Sequence, residues 1–211
     1  MRISKAQAEQ NRQAIVLAAM RLFRERGYDA VGIAEVMTEA GFTHGGFYNH
    51  FSSKEELAAE TFRLAFAQQR EAARTLDGTL GALRKQLHRY LSSENRDAVG
   101  GACPTAPMVA DAARQGGKVQ AEFAHGIAEY VRDFSEAIRT AVPDGDAAEQ
   151  RTTATRLLAE SVGALVLAQA CAEADAALSD ELLAAGREGV DRLLDLVPPP
   201  RRSRPRARGA R

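Results

Sequence analysis

The stretch from Gly41 to Leu57, Gly-Phe-Thr-His-Gly-Gly-Phe-Tyr-Asn-His-Phe-Ser-Ser-Lys-Glu-Glu-Leu, leaves this chain few choices of fold. Gly41 follows the apolar-periodic run 33–40 and tolerates φ > 0, so a helix ends there. Thr43 suits the N-cap of the next element. A short helix over 44–51 places Phe47 and Phe51 four residues apart on one face, toward a core. His44, Gly45, Tyr48 and Asn49 then face elsewhere. Gly45 and Gly46 each cost a helix about 1 kcal/mol against alanine. Stability alone does not ask for them, whereas the close approach of another backbone does. Ser53 to Glu56 reads as a capping box, with Ser53 as N-cap and Glu56 at N3. Lys54, in the first turn, opposes the helix dipole and makes an anion site beside free backbone N–H groups. A two-turn helix with an apolar inner face and a thin polar outer face is built like a recognition helix for the DNA major groove. The anion at Lys54 would then be a DNA phosphate.

Several blocks of sequence carry a family resemblance. They are 15–19, Leu22-Phe23, Gly27-Tyr28, Ile33-Ala34, Ala40 to Thr43, Phe47 to Phe51 and Ser53 to Leu57. Together they resemble the DNA-binding domain of the tetracycline-repressor (TetR) family over roughly residues 13–57, in order and nearly without gaps. The resemblance implies an all-helical homodimer that represses transcription and leaves its operator when a small molecule binds. It also implies that Thr43, Tyr48 and Lys54 hold phosphates while His44, Gly45 and Gly46 lie nearest the base edges. Asn49 joins this DNA-binding set. His50 either contacts phosphate or braces the turn. Family members usually carry Ser or Thr near Gly32, where this chain can offer only a backbone N–H.

The chain has 211 residues, 45% of them apolar and 27% charged, an ordinary balance for a globular protein. Its formal net charge is zero, so nucleic-acid binding rests on where charges sit rather than on their sum. Six arginines crowd into residues 201–211, and residues 1–57 balance seven basic against seven acidic side chains. No uninterrupted apolar run reaches the roughly 18 residues of a membrane span. The start of the chain leads into a polar helix rather than a secretory signal, so a cytoplasmic protein is expected. Two cysteines, Cys103 and Cys171, make neither a disulfide framework nor a zinc motif. His88 and His125 lack companions at ligand spacing, so no metal or other cofactor is expected. Nucleophile–base constellations, phosphate loops and paired acids are likewise missing, which argues against an enzyme.

The expected fold is all-α, with about nine helices. A helix-turn-helix domain of three helices occupies 1–57, with the motif itself over about 33–51. A larger ligand-binding and dimerisation domain follows over 58–197, and 198–211 is expected to be a disordered Pro/Arg-rich tail, too polar to form a core. Ser4 to Gln7 starts the first helix as a capping box, and Gly27 ends it. The fourth helix runs from Lys54 to about Arg74 and is apolar on more than one face, which suits a link between the two domains. Asp77-Gly78 breaks it. Leu80, Leu83, Leu87 and Tyr90-Leu91 form a clean stripe, and 92–101 reads as a loop. Cys103-Pro104 opens a short helix that Gly116-Gly117 ends. Val119, Phe123, Ile127, Tyr130, Val131, Phe134 and Ile138 form the strongest periodic stripe of the chain. A long alanine-rich helix spans Asp146 to about Glu173, and Ser179 caps the last one.

Three sets of candidates remain in this larger domain. Met108, Phe123, Ile127, Tyr130 and Phe134 are candidates to line a ligand cavity, against the plainer reading that most are core. Cys103 joins them as a candidate sensing thiol at a helix N-terminus, against the plainer reading of a small packed residue. The last two helices are rich in small residues, which suits a four-helix interface between two copies. Its candidate residues are Leu158, Val162, Leu165, Val166, Gln169, Val190, Leu193 and Leu194. Expected partners are a second copy, double-stranded operator DNA with palindromic half-sites, and an unknown small-molecule effector. The alternative is a DNA-binding architectural or division factor of the same fold without an effector, which a filled core would favour.

Overall fold

The computed structural model describes residues 4–74, 79–98 and 105–197. Among these residues there are nine α-helices, one 3-10 helix and no strand. The helices are α1 (Lys5–Arg26), α2 (Ile33–Glu39), α3 (Lys54–Arg74), α4 (Leu80–Tyr90), α5 (Ser93–Asp97), α6 (Thr105–Gln115), α7 (Gly117–Ala141), α8 (Ala147–Cys171) and α9 (Ala176–Asp195). The 3-10 helix, His44–Asn49, lies between α2 and α3.

Caps account for most of these boundaries. The Ser4 hydroxyl accepts from the Gln7 N–H at the start of α1, and Gly27 closes that helix at φ 80°. Gly41 ends α2 at φ 80°. Its N–H donates to Thr38 O at 3.0 Å and the Phe42 N–H donates to Met37 O at 2.8 Å, the paired bonds of a Schellman motif. Thr79 caps α4, Asp146 caps α8 and Asp175 caps α9, each through its side chain.

α3 is the beam of the molecule. It packs on both α1 and α7. The expected domain boundary at residue 57 falls in the first turn of this helix, so both parts of the chain share it. α7 approaches so closely that a Cβ at Gly126 would overlap the Phe66 ring, which is held between Phe123 and Tyr130. α8 and α9 form the most extensive helix pair, and α7 and α4 pack beside it. The buried side chains of all these helices join into one continuous apolar core.

The structure departs from the sequence reading at several places. The described part of the expected loop, residues 92–98, is not plain loop: Ser92 caps the short helix α5, and the Asn95 amide donates to Tyr90 O at 2.7 Å. Ser179 does not cap α9. It is buried inside that helix, and its hydroxyl donates to Ala168 O of α8 at 2.8 Å. Some of the small residues expected between two copies act within one chain instead: a Cβ at Gly186 would meet Ala164 Cβ at 2.5 Å, and one at Gly189 would overlap the Glu160 carboxylate. Of the eight candidate interface residues, Leu158, Leu165, Val190 and Leu194 are buried in the protomer's own core and so are corrected. Val162, Val166, Gln169 and Leu193 are half-buried. Asp77-Gly78, Gly100-Gly101, Cys103-Pro104 and the tail 198–211 lie outside the described residues.

Candidate nucleic-acid interface and ligand cavity

The short element after Gly41 begins at Thr43, whose backbone is extended and whose C=O accepts from the Gly46 N–H at 3.0 Å. The Thr43 hydroxyl makes no capping bond, which corrects the side-chain cap expected there. The tighter 3-10 winding stops at Asn49 rather than at residue 51. Phe47 and Phe51 nevertheless share one face, 0% and 2% exposed, with ring centroids 5.6 Å apart. Burying each of them is worth about 2–3 kcal/mol, which holds the element in a single orientation. Thr43, His44, Gly45, Tyr48 and Asn49 are left on the outside, and Tyr48 is 64% exposed.

Neither glycine of the pair is required by the fold. Their φ values are not positive. A Cβ at Gly45 would meet nothing within 4 Å, and one at Gly46 would make only ordinary contact with Met37. The bare backbone on this outer face therefore answers to nothing inside the protomer.

His50 and Lys54 are placed differently from the outward set. His50 is half-buried, and its backbone C=O accepts from the guanidinium of Arg12 on α1. Arg12 also pairs with Glu60 and lies over the Phe51 ring at 4.0 Å. It thereby straps the turn to α1 and α3. The Lys54 ammonium donates to Tyr28 O at 2.6 Å and sits 4.0 Å from the centre of the Tyr28 ring. Burial lowers its pKa from the ordinary lysine value, while the carboxylates of Asp29 and Asp111 oppose that shift. The charge that the sequence assigns to phosphate is thus tethered to the loop between α1 and α2. In the capping box, the Ser53 hydroxyl accepts from the Glu56 N–H at 3.1 Å, as expected. The Glu56 carboxylate reaches one residue further back, to the Ser52 N–H at 2.9 Å and the Ser52 hydroxyl.

The sequence reading missed the contacts that join this part of the chain to the helices beyond. Asp111, buried on α6, accepts from the Tyr28 N–H at 2.8 Å and pairs with Arg114 at 2.6 Å. Gln115 donates to Asp29, and the Lys118 N–H at the start of α7 donates to Glu55 at 2.9 Å. No local pattern marks these residues, which lie 63 to 86 positions from their partners.

A cavity of about 350 Å³ opens among α3 to α8. Tyr130 and Phe134 of α7 line it. Met108, Phe123 and Ile127 do not. Met108 is 1% exposed in the core and Phe123 packs edge-on against Phe62 and Phe66, which corrects their assignment to a ligand. Leu158 and Val162, assigned from sequence to an interface, are cavity walls. Gln69 enters from α3, while Gln86, Leu87, Arg89 and Tyr90 enter from α4. Asn95, Thr105 and Ser161 complete the wall.

The comparisons with known proteins concentrate on the N-terminal part. Residues 15–61 match the family model described as bacterial regulatory proteins, tetR family. Over 64 residues the chain is 36% identical to the HTH-type transcriptional regulator AcrR of Shigella flexneri, covering 30% of each chain. Over 57 residues it is 42% identical to the HTH-type transcriptional repressor BepR of Brucella suis biovar 1, covering 27% of each. The chain thus spans less than a third of the length of these two relatives. In fold it is similar to a TetR transcriptional regulator from Chloroflexus aurantiacus, with a TM-score of 0.69 at 23% identity over 91% of this chain and 96% of that one. The helix-turn-helix of residues 33–51 lies inside the match over residues 15–61, so this N-terminal part of the chain is similar to the tetR family of bacterial regulatory proteins, and the all-α fold of the chain is that of its structural neighbour.

Proposed function

We propose that the protein is a DNA-binding transcriptional regulator that works as a homodimeric repressor and leaves its operator when a small molecule fills the cavity. The observation that carries this reading is the outward face of the 3-10 helix. Thr43, His44, Gly45, Tyr48 and Asn49 are exposed together on a support fixed by two buried phenylalanines. Thr43 and Tyr48 present hydroxyls for phosphates, and His44 and the two glycines come nearest the bases. Phosphate contacts set position and base contacts set sequence. Lys54 supports this face through Tyr28 more directly than through phosphate. His50 serves as a brace through its backbone.

Two recognition elements, spaced about 34–36 Å or a multiple of it, read palindromic half-sites in successive grooves, which requires a second copy. The interface we assign is the outer side of α8 and α9 rather than the inner one. Leu167 is 54% exposed there, and a Cβ at Gly163 would meet nothing within 4 Å. α8 is apolar around most of its circumference, with a mean hydropathy of 1.2 over its best 18 residues, and only a third of that window is buried in the protomer. A second copy would cover the remainder. Such a protein works in the cytoplasm, where bacterial operators are.

Release follows from the shared helix. Gln69, on the cavity wall, and Lys54, beside the recognition element, are both on α3. Thr105 and Asp111 likewise place one end of α6 at the cavity and its middle on the Tyr28 loop. An effector that fits one position of these helices better than the other shifts the spacing of the two recognition elements. The cavity speaks against an architectural factor with a filled core.

The test starts from genomic fragments captured by the purified protein. The double variant Thr43→Ala/Tyr48→Ala should lose specific binding to them in a gel shift while keeping its helical circular dichroism and thermal midpoint. Unchanged binding by this variant would overturn the reading.

A further inference from the structure

The chemistry of the cavity wall narrows what can occupy it. We propose that the cavity takes an aromatic monocarboxylate, with the ring against Tyr130 and Phe134 and the carboxylate on the guanidinium of Arg89. The proposal rests on the reading above that this cavity is the effector site.

Three observations converge on it. Among the described residues, Arg89 is the only charged side chain on the wall. The nearby carboxylates of α7 are already engaged, since Glu129 and Asp133 both pair with Arg70. A cationic ligand would find no counter-charge there, and an anionic one would.

Arg89 also has no structural task that would explain it. It sits in the last turn of α4, where a basic residue ordinarily caps the terminal carbonyls. Those carbonyls are served by others: the Asn95 amide donates to Tyr90 O at 2.7 Å and Arg187 donates to Leu91 O at 2.5 Å. Among the described residues Arg89 has no acidic partner, whereas Arg84 on the same helix holds Asp191 and Asp195. A guanidinium matches a carboxylate with two parallel hydrogen bonds, which gives orientation as well as affinity.

The rest of the wall sets the body of the ligand. A volume of about 350 Å³ is at the small end for ligand sites and suits one or two fused rings. Tyr130 and Phe134 stack at 6.5 Å with their planes 17° apart and present flat apolar surface. Gln69 and Gln86 make no side-chain hydrogen bond among the described residues, so their amides are free for a second polar group on the ligand.

The experiment compares three probes with one ring system: 2-naphthoate, 2-naphthol and 2-naphthylmethylammonium. The full chain contains no tryptophan, so naphthalene emission is read without that background. Naphthoate should bind about tenfold tighter than naphthol, and the ammonium weakest, as expected for one charge-assisted contact at a partly open rim. Arg89→Gln should remove that preference for naphthoate and leave naphthol affinity unchanged, which shows the cavity intact. Equal binding of all three probes, preference for the cation, or an unaltered order in Arg89→Gln would overturn the assignment. So would the failure of every probe to bind. Gel shifts on the captured DNA, run without probe, report the DNA-binding reading separately from any of these outcomes.

Discussion

Gly45→Ala separates the demands of the fold from those of a partner, because the two act in opposite directions. Within the protomer the added methyl meets nothing within 4 Å, and the backbone at residue 45 is not in the left-handed region. Replacing glycine at such a position restricts the unfolded chain and stabilises the protein by about 0.4–1 kcal/mol. In the proposed complex with DNA the same methyl would stand where a second backbone or a base edge comes close. Losing one well-made base contact costs about 1–3 kcal/mol, so affinity should fall about 5- to 150-fold. Urea unfolding followed by circular dichroism reads the first effect. Fluorescence anisotropy with a labelled captured fragment reads the second. Both belong at one salt concentration, since phosphate contacts are salt-dependent. Gly46→Ala is the companion, with ordinary contact to Met37 Cε at 3.5 Å and therefore a gain in stability of similar size. If Gly45→Ala binds DNA as tightly as the parent, no close approach occurs at this face and the reasoning fails. If it is less stable than the parent, the open space around residue 45 has been misjudged.

Two further outcomes follow from particular contacts. Asp111→Ala leaves the Tyr28 N–H without its carboxylate acceptor, at a cost of about 1.5–3 kcal/mol. The Arg114 partner is 60% exposed and adds at most about 1 kcal/mol. Asp111→Asn keeps an acceptor and should lose about half as much, as read from urea midpoints, and identical midpoints for the two variants would contradict the assignment. Glu56 is held below the ordinary glutamate value of 4.5, first by the Ser52 hydroxyl and then by the Ser52 N–H. Because the folded pKa lies below the unfolded one, its contribution is complete above about pH 4.5 and is lost as pH falls through the folded value. Glu56→Gln should flatten the fall in urea midpoint over that acid range, and a slope equal to the parent's would count against this contact.

How much of the molecule was legible beforehand depends on the range of the forces involved. Helix starts and stops rest on neighbours three to five residues apart, so Ser4, Gly27, Gly41 and Ser53 could be read directly. The inward set of Phe47 and Phe51 follows from helical spacing and survives the tighter 3-10 winding. Ser179 misled because a serine ahead of two acids resembles a cap, while a better one, Asp175, stands four residues earlier.

The sequence by itself determined the all-α class, the inward pair Phe47 and Phe51 and the likeness of residues 15–61 to the tetR family, because each is written in local periodicity, capping and a nearly gapless run of motif residues. Only the tertiary structure decided which faces of α7, α8 and α9 meet ligand, core or solvent. An apolar stripe shows that a side chain leaves water but not what it meets, so Phe123 packs half-buried against Phe62 and Phe66 while Leu158 stands on the cavity wall. The same limit applies to charge. Lys54 carries the same ammonium in either setting, and the fold turned it to Tyr28 because a carbonyl and a ring 26 residues away in sequence were brought within reach.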